Sequence, residues 1–390
     1  MRIFLEPSES LLFRTGRPFD AGESGYAESM FPPTPETLQG AIRATIATHW
    51  NITKTIDEVF RDDNLINLIG NRSSYDRDNY RRFRITGITL GRRKENKEHE
   101  IERLFPPPAH LLKDEKGTML RLKPQPRDNV QSIMQARTDD GAIKTVPYTM
   151  QYLLPDPNIE TKGKLKPITG WLTEESLDHA LQAKTNLSTL HIVSSHHIYM
   201  REPRIGIEVQ NTTKTTEEGM LYQMHMIRMR PGYGFLVDIR LSESSDSATL
   251  MDDTETQNKL HLPSKGWITL GGERRAARFE VIGSSIYEQE SLGRQTGNLL
   301  YLATPTYFEA GWQPTTWPNS INPIAAAVDR YKPIGGWRLN PGQTGGTQKL
   351  VRRCVPAGSV YFFDKPITIT QPLTEFGSHI GYGITYTGEW

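Results

Sequence analysis

Residues 2–13, RIFLEPSESLLF, and residues 34–50, TPETLQGAIRATIATHW, decide how the fold is read. The first stretch is dense in large apolar side chains (Ile3, Phe4, Leu5, Leu11, Leu12, Phe13) and reads as one strand. The second opens on Thr34, whose hydroxyl can cap a helix, and on Pro35, whose missing N–H costs nothing in a first helical turn. Leu38, Ile42, Thr45/Ile46 and His49/Trp50 then recur at helical spacing, so one face is expected to be buried. Gly40 weakens such a helix, and its expected use is close approach to another backbone.

Working outward from this strand and helix, residues 83–90 read as a second strand and 109–123 as a hairpin turned at Asp114 to Gly117. The stretch 124–170 is weakly patterned and reads as an insertion or projecting arm. A short helix fits 174–183, with Thr173 as its cap and Glu174 and Glu175 at its positive end. Residues 201–209 and 220–230 read as extended, followed by a turn at 231–234 into 235–241. The acidic run 243–258 reads as a loop. Further strands fall near 267–270, 275–282, 298–304, 350–355, 359–364 and 380–387. Few helices and many strands, in two halves 1–195 and 196–390, predict an α+β protein rather than a parallel α/β one.

Composition narrows the class. The chain has 390 residues, more than one ordinary domain. Its single cysteine, Cys354, excludes an internal disulfide framework and a cysteine zinc cage. No apolar run is long enough to span a bilayer, and MRIFLEPSES lacks the apolar core of a signal peptide, so a soluble cytoplasmic protein is expected. The net charge of +1 is low for a free-standing nucleic-acid binder. The charge is nevertheless segregated. Arg72, Arg77, Arg81, Arg82, Arg84, Arg92, Arg93 and Lys94 cluster with Tyr75, Tyr80 and Phe83, and residues 338–353 hold basic residues and no acid. Acids gather near 217–218, 243–255 and 287–290. Such segregation suits one RNA face and other faces for protein partners.

Four motifs carry candidate chemistry. In FRTGRPF, Arg14 and Arg17 flank Gly16, and two guanidiniums on a glycine-kinked loop can grip phosphates; ordinary salt-bridged surface arginines read equally well from spacing alone. In LGGERRAARFE, Gly271 and Gly272 free the backbone for close approach, while Arg274 and Arg275 are expected to point apart, one outward and one paired with Glu273. This GGER lacks the paired metal-binding acids of a nucleotide cyclase. In 201–222, Arg201 and Arg204 lead into a loop with Lys214 and several threonines, a set suited to phosphate or to simple solvation. Late glycine turns (PIGGW with Gly335, Gly336 and Trp337; FGSHIGYGI with Gly377 and Gly381) can present bare amides to phosphates, with Trp337, Phe376 and Tyr382 beside them to stack bases. Tight turns in a strand-rich domain explain the same glycines. None of these turns ends in the Gly-Lys-Ser/Thr of a nucleotide-hydrolase phosphate loop.

The ten histidines supply no catalytic set. There is no HExxH, no His–Asp dyad and no Ser/His/Asp arrangement. His196–His197 is the only adjacent pair, and strand neighbours point apart, so it is not expected to hold a metal. His49, His110 and His379 are candidates by type for metal-free acid–base chemistry, each more simply structural. No catalytic residue, metal or cofactor is therefore expected.

Taken together, the segments LLFRTGRPF, PPTPETLQGAIR, PRIGIEV with EEGMLY, LGGERRAARFE, LATPTYFEAGW, PIGGWR, VPAGSVYFF and FGSHIGYG, in this order from residue 11 to 383, resemble the third-subunit family of the Cmr module. That family belongs to the RAMP superfamily of type III-B CRISPR effector complexes. Segments 51–105 and 124–195 carry little of the resemblance. It implies two packed ferredoxin-like, RRM-related domains, here 1–195 with a projecting insertion around 105–170, and 196–390 with glycine-rich loops. It further implies a non-catalytic subunit that binds the repeat-derived 5′ tag of the crRNA, docks on the large palm-domain subunit and neighbours the small-RAMP backbone subunits. The terminal run FGSHIGYG departs from the pattern in having no adjacent Lys or Arg. Two other readings stay open: a RAMP endoribonuclease using His379, and a scaffold that touches protein only.

Overall fold

The computed structural model describes residues 1–14, 26–70 apart from 52 and 54, 81–125 apart from 96, 132–137, 143–148, 150–282 apart from 210, 211, 213, 214, 246 and 248, 295–339 and 346–390. Among the described residues it is mixed and strand-rich, with few helices and several antiparallel sheets. It divides into two units, each assembled from three stretches of chain: Met1–Ile85, His196–Gly283 and Pro333–Arg352 in the first, and Thr86–Ser195, Ser284–Lys332 and Arg353–Trp390 in the second. The chain does pass from one unit to the other at 195/196, but it also does so at four other places, so neither unit is a continuous half.

In the first unit, Arg2–Pro7 is a central strand. It lies antiparallel between Tyr233–Leu241, with Phe4 opposite Leu236, and Arg275–Ile282, with Phe4 opposite Glu280. Lys265–Leu270 closes one edge, and the strand beginning at Phe83 lies beyond Tyr233–Leu241. Ile3, Phe4 and Leu5 are buried, which explains the continuous apolar run. The expected strand over 2–13 ends early. Pro7 still pairs with Ala277 on one side, while pairing on the other side stops at Leu5. Proline offers no N–H to continue a ladder on both sides; the Ser8 amide still donates to the Ala276 carbonyl, and the chain leaves the sheet after it.

The helix Pro35–Trp50 forms as its sequence dictates. The Thr34 hydroxyl accepts the Thr37 amide at 3.2 Å, and Leu38, Ile42 and Ile46 are buried. Gly40 does not serve close approach: it is exposed, and a Cβ placed there meets nothing within 4 Å. The acidic run near 243–258 is not all loop. Asp252 caps the helix Asp253–Leu260 by accepting the Glu255 amide. Tyr199–Val209 and Thr216–Met229 form a long antiparallel hairpin, and Tyr26–Glu28 adds to it in parallel.

In the second unit, Thr296–Leu302 lies between Val360–Thr368 and Thr385–Gly388, and Ala325–Ala327 extends the sheet. The hairpin Leu111–Lys113 with Met119–Gln125 turns where expected, on the Asp114 carboxylate, which accepts the amides of Lys116 and Thr118. The region around 105–170 is, for the most part, not a projecting arm. Lys166–Pro167 pairs with Leu111–Lys113, Tyr152–Pro155 pairs with Met119–Gln125, and Phe105, Leu111 and Ile168 join the unit's core. Apolar residues spaced along these short strands hold them to the body. Ser132–Arg137 and Ile143–Tyr148 pair with each other as a separate hairpin. Thr173 caps the helix Glu174–Ala180 as predicted. No helix among the described residues is long and apolar enough to cross a membrane.

Candidate nucleic-acid interface

The geometry centres on the turn between Lys265–Leu270 and Arg275–Ile282. Gly271 has φ +76°, and a Cβ there would lie 2.7 Å from the carbonyl oxygen of Leu12, which is backbone and cannot give way. The sequence therefore needs glycine at this position. The Gly272 amide donates to that same Leu12 carbonyl at 2.7 Å. Glu273 and Arg274 follow in left-handed conformations, φ 59° and 52°, which carry Arg274 out of the ladder. Arg274 is exposed and makes no hydrogen bond or ion pair among the described residues. Arg275 donates to Glu273 at 2.6 Å. The expected pairing of Arg275 with Glu273 forms, but a left-handed turn, not the alternation of a continuing strand, sets Arg274 apart from it.

Residues 8–14 thread this turn to the long hairpin. Leu11 exchanges two backbone hydrogen bonds with Ile227, Leu12 bridges Gly272, and Arg14 bridges Ser29. The Ser29 hydroxyl accepts the Phe13 amide at 2.8 Å, and the Met30 amide donates to the Phe13 carbonyl. Arg14 is exposed and also lacks a side-chain partner among the described residues. Neighbouring arginines are occupied. Arg201 pairs with Glu28 at 2.7 Å, and Arg204 donates to Glu202 and to the Ser10 hydroxyl. Glu202 accepts Arg228 as well, and these two guanidiniums hold its carboxyl below the usual carboxylate range, Arg228 contributing most. Arg201 and Arg204, three residues apart on one strand, face opposite ways. The sequence carried no signal for the Glu28 and Arg228 partners, because both arrive through strand pairing.

Of the other expected residues, Gly16, Arg17 and Lys214 lie outside the described residues, as do the side chain of Trp337 and the basic cluster's Arg72 and Arg77. In that cluster Arg82 donates to the Ser242 carbonyl and Arg84 to those of Arg81, Phe83 and Ser245. Gly335 and Gly336 stand apart from the turn, at the start of the helix Pro35–Trp50: the Lys349 amide donates to the Gly336 carbonyl, and the Lys349 ammonium pairs with Glu36 at 3.5 Å. Gly377 and Gly381 belong to the second unit. Both are buried and left-handed, bracketing the single turn Ser378–Ile380. The expectation that Phe376 and Tyr382 stack bases is corrected: their rings pack on each other at 5.6 Å, and Tyr382 is 1% exposed.

Two of the candidate histidines, His49 and His110, are structural in their surroundings. His49 places Nδ1 2.9 Å from the Thr45 carbonyl and meets Phe279 edge-on. His110 is buried edge-on to Phe362, and burial, reinforced by Arg121, pushes its pKa down to about 3. His196 and His197 are not strand neighbours pointing apart. They lie on the short helix Ser195–Ile198 with ring centroids 4.0 Å from each other. Among the described residues, no three His, Cys, Asp or Glu side chains converge on a metal position.

Over residues 3–390 the sequence matches the model of a family described as CRISPR-associated protein (Cas_Cmr3). Two solved structures share similarity across 93% of this chain and 86% of theirs. One, described as the cryo-EM structure of the Type III-B Cmr-beta bound to cognate target RNA and AMPPnP, state 1, has 14% identity and a TM-score of 0.46. The other, described as the cryo-EM structure of the Type III-B Cmr-beta bound to cognate target RNA, has 14% identity and a TM-score of 0.45 over the same coverage. No curated protein matches the chain.

Proposed function

Because the chain belongs to the Cas_Cmr3 family of CRISPR-associated proteins, we propose that it is a non-catalytic subunit of a type III-B effector complex, gripping the repeat-derived 5′ tag of the crRNA. One observation carries the reading. Arg14 and Arg274 are exposed and uncommitted among the described residues, and they sit on two segments locked together by the Leu12–Gly272 hydrogen bond. Around them Arg201, Arg204 and Arg275 are held by carboxylates, leaving two available charges on a stiff backbone. A guanidinium binds phosphate through paired N–H groups, and the glycine turn lets the backbone come close. Gripping the tag there sets the register in which the guide begins.

In this reading the subunit works inside an assembly, docked on the large palm-domain subunit and beside the small-RAMP backbone subunits in the cytoplasm. Neighbours share the electrostatic work, which reconciles local basicity with a net charge of +1. The order of strands and helices in the first unit supports a ferredoxin-like plan: strand 2–7, helix 35–50, the strand from 83, strand 233–241, helix 253–260 and strand 275–282, with the third strand beside the first.

The test is photo-crosslinking of the chain, alone and with the large subunit, to RNA carrying the tag. Crosslinks near Arg14 and Arg274 are expected. A tag that crosslinks only to other subunits would leave this chain a protein scaffold.

A further inference from the structure

The second unit carries an aromatic–cation pair that the interface above does not use. Tyr331 is 56% exposed, and the Arg353 guanidinium lies over its ring at 5.2 Å from the centroid. Arg353 comes from the strand Arg352–Val355, which is anchored through Cys354 and Val355 to Thr306–Tyr307, with Cys354 and Val355 buried. The pair therefore projects from a fixed strand. Arg330 and Lys332 flank Tyr331 and are exposed, and Asp329 is the only acid beside them in sequence. The side chains of Arg330 and Arg353 make no hydrogen bond or ion pair among the described residues.

A large exposed aromatic ring is otherwise wasted apolar surface, and here Arg353 lies on it while Arg330 and Lys332 adjoin it in sequence, with Asp329 the acid beside them. We infer that Tyr331 and Arg353 form a stacking platform for one unpaired base of single-stranded RNA, with Arg330 and Lys332 taking the flanking phosphates. Every base has a π-face, so a tyrosine ring serves as a sequence-tolerant seat, and arginine stacks on bases as readily as on phenols. The guanidinium beneath the ring holds its orientation and leaves the exposed surface for the base. An apolar protein partner would leave the Arg330 and Arg353 guanidiniums unmatched, whereas a phosphodiester strand matches them.

This inference rests on the reading that the chain binds RNA, and the experiment separates the two. The full-length chain is titrated with a single-stranded tag RNA extended by unpaired nucleotides. Tyr331→Ala should bind about tenfold more weakly, since one stacked base contributes on that order. Tyr331→Phe should bind like wild type, because the ring is kept. Arg353→Ala should fall between them. Crosslinking through 4-thiouridine in the extension should mark the peptide containing Tyr331. These side chains are exposed, so unchanged melting is expected and serves as the folding control. If Tyr331→Ala binds like wild type while Arg14→Ala/Arg274→Ala binds weakly, the platform is refuted and the tag interface stands. If Tyr331→Ala instead loses affinity for a neighbouring subunit, the patch is a protein contact and the inference is overturned. If wild type itself does not bind RNA, both readings fail together.

Discussion

Gly272 donates its amide to the Leu12 carbonyl at 2.7 Å, and Gly271 presses so closely on that oxygen that a Cβ would stand 2.7 Å away. This contact joins the turn bearing Arg274 to the segment bearing Arg14. Replacing Gly271 by alanine adds both a clash with backbone and a left-handed φ that side chains resist. A loss of about 1–3 kcal/mol in the stability of the first unit is expected. Hydrogen exchange of the amides near Gly272 and Leu11, compared between variant and wild type, measures it.

Arg14→Ala with Arg274→Ala removes two charges and no internal hydrogen bond. RNA affinity should fall, and the slope of log K against log salt should shrink by about 1.4, at roughly 0.7 for each phosphate that goes unneutralised on a single strand. Thermal unfolding should not move. Arg275→Ala, whose guanidinium already serves Glu273, should leave that slope nearly unchanged. Titrations at several salt concentrations decide between these outcomes.

Gly40 lies exposed inside the helix Pro35–Trp50 with open space where a Cβ would go. Gly40→Ala should therefore stabilise the chain by about 0.5–1 kcal/mol, by restricting the unfolded state. A fall in melting temperature would mean that this face is covered in the folded chain.

His110 is neutral when folded, its pKa lowered to about 3 by burial. The unfolded chain takes up a proton near the ordinary histidine value of about 6.5. Between those values the unfolded state binds the extra proton, so this group costs stability as pH falls, by about 1.4 kcal/mol per pH unit below 6.5. The loss should saturate near pH 3. His110→Leu should flatten that part of the profile, whatever its effect at neutral pH; denaturation at a series of pH values reads the slope.

Repeat RNA incubated with the purified chain in chelator should stay intact. Cleavage at one site that His379→Ala abolishes would replace the RNA-holding reading with that of a metal-free endoribonuclease.

Residues within a turn of one another were readable without the fold. Thr34–Pro35 and the spacing of Leu38, Ile42 and Ile46 announced a helix, Asp114 to Gly117 announced a hairpin, and Glu273 beside Arg275 announced an ion pair. Such signals arise from capping, periodicity and backbone freedom, which act locally. The end of the first strand at Pro7 was there to be read in the proline, whereas tertiary structure alone drew Lys166–Pro167 and Tyr152–Pro155 onto the Asp114 hairpin and buried Tyr382. It also decided which arginines are spent: Arg201 on Glu28, Arg204 and Arg228 on Glu202, with Arg14 and Arg274 left without a side-chain partner among the described residues. Arginines look alike in a sequence, because a partner such as Glu28 of Arg201 or Glu202 of Arg228 reaches them across paired strands rather than from the next few residues. Register between distant strands is set by what each buries against the other, and no short window of residues contains that information.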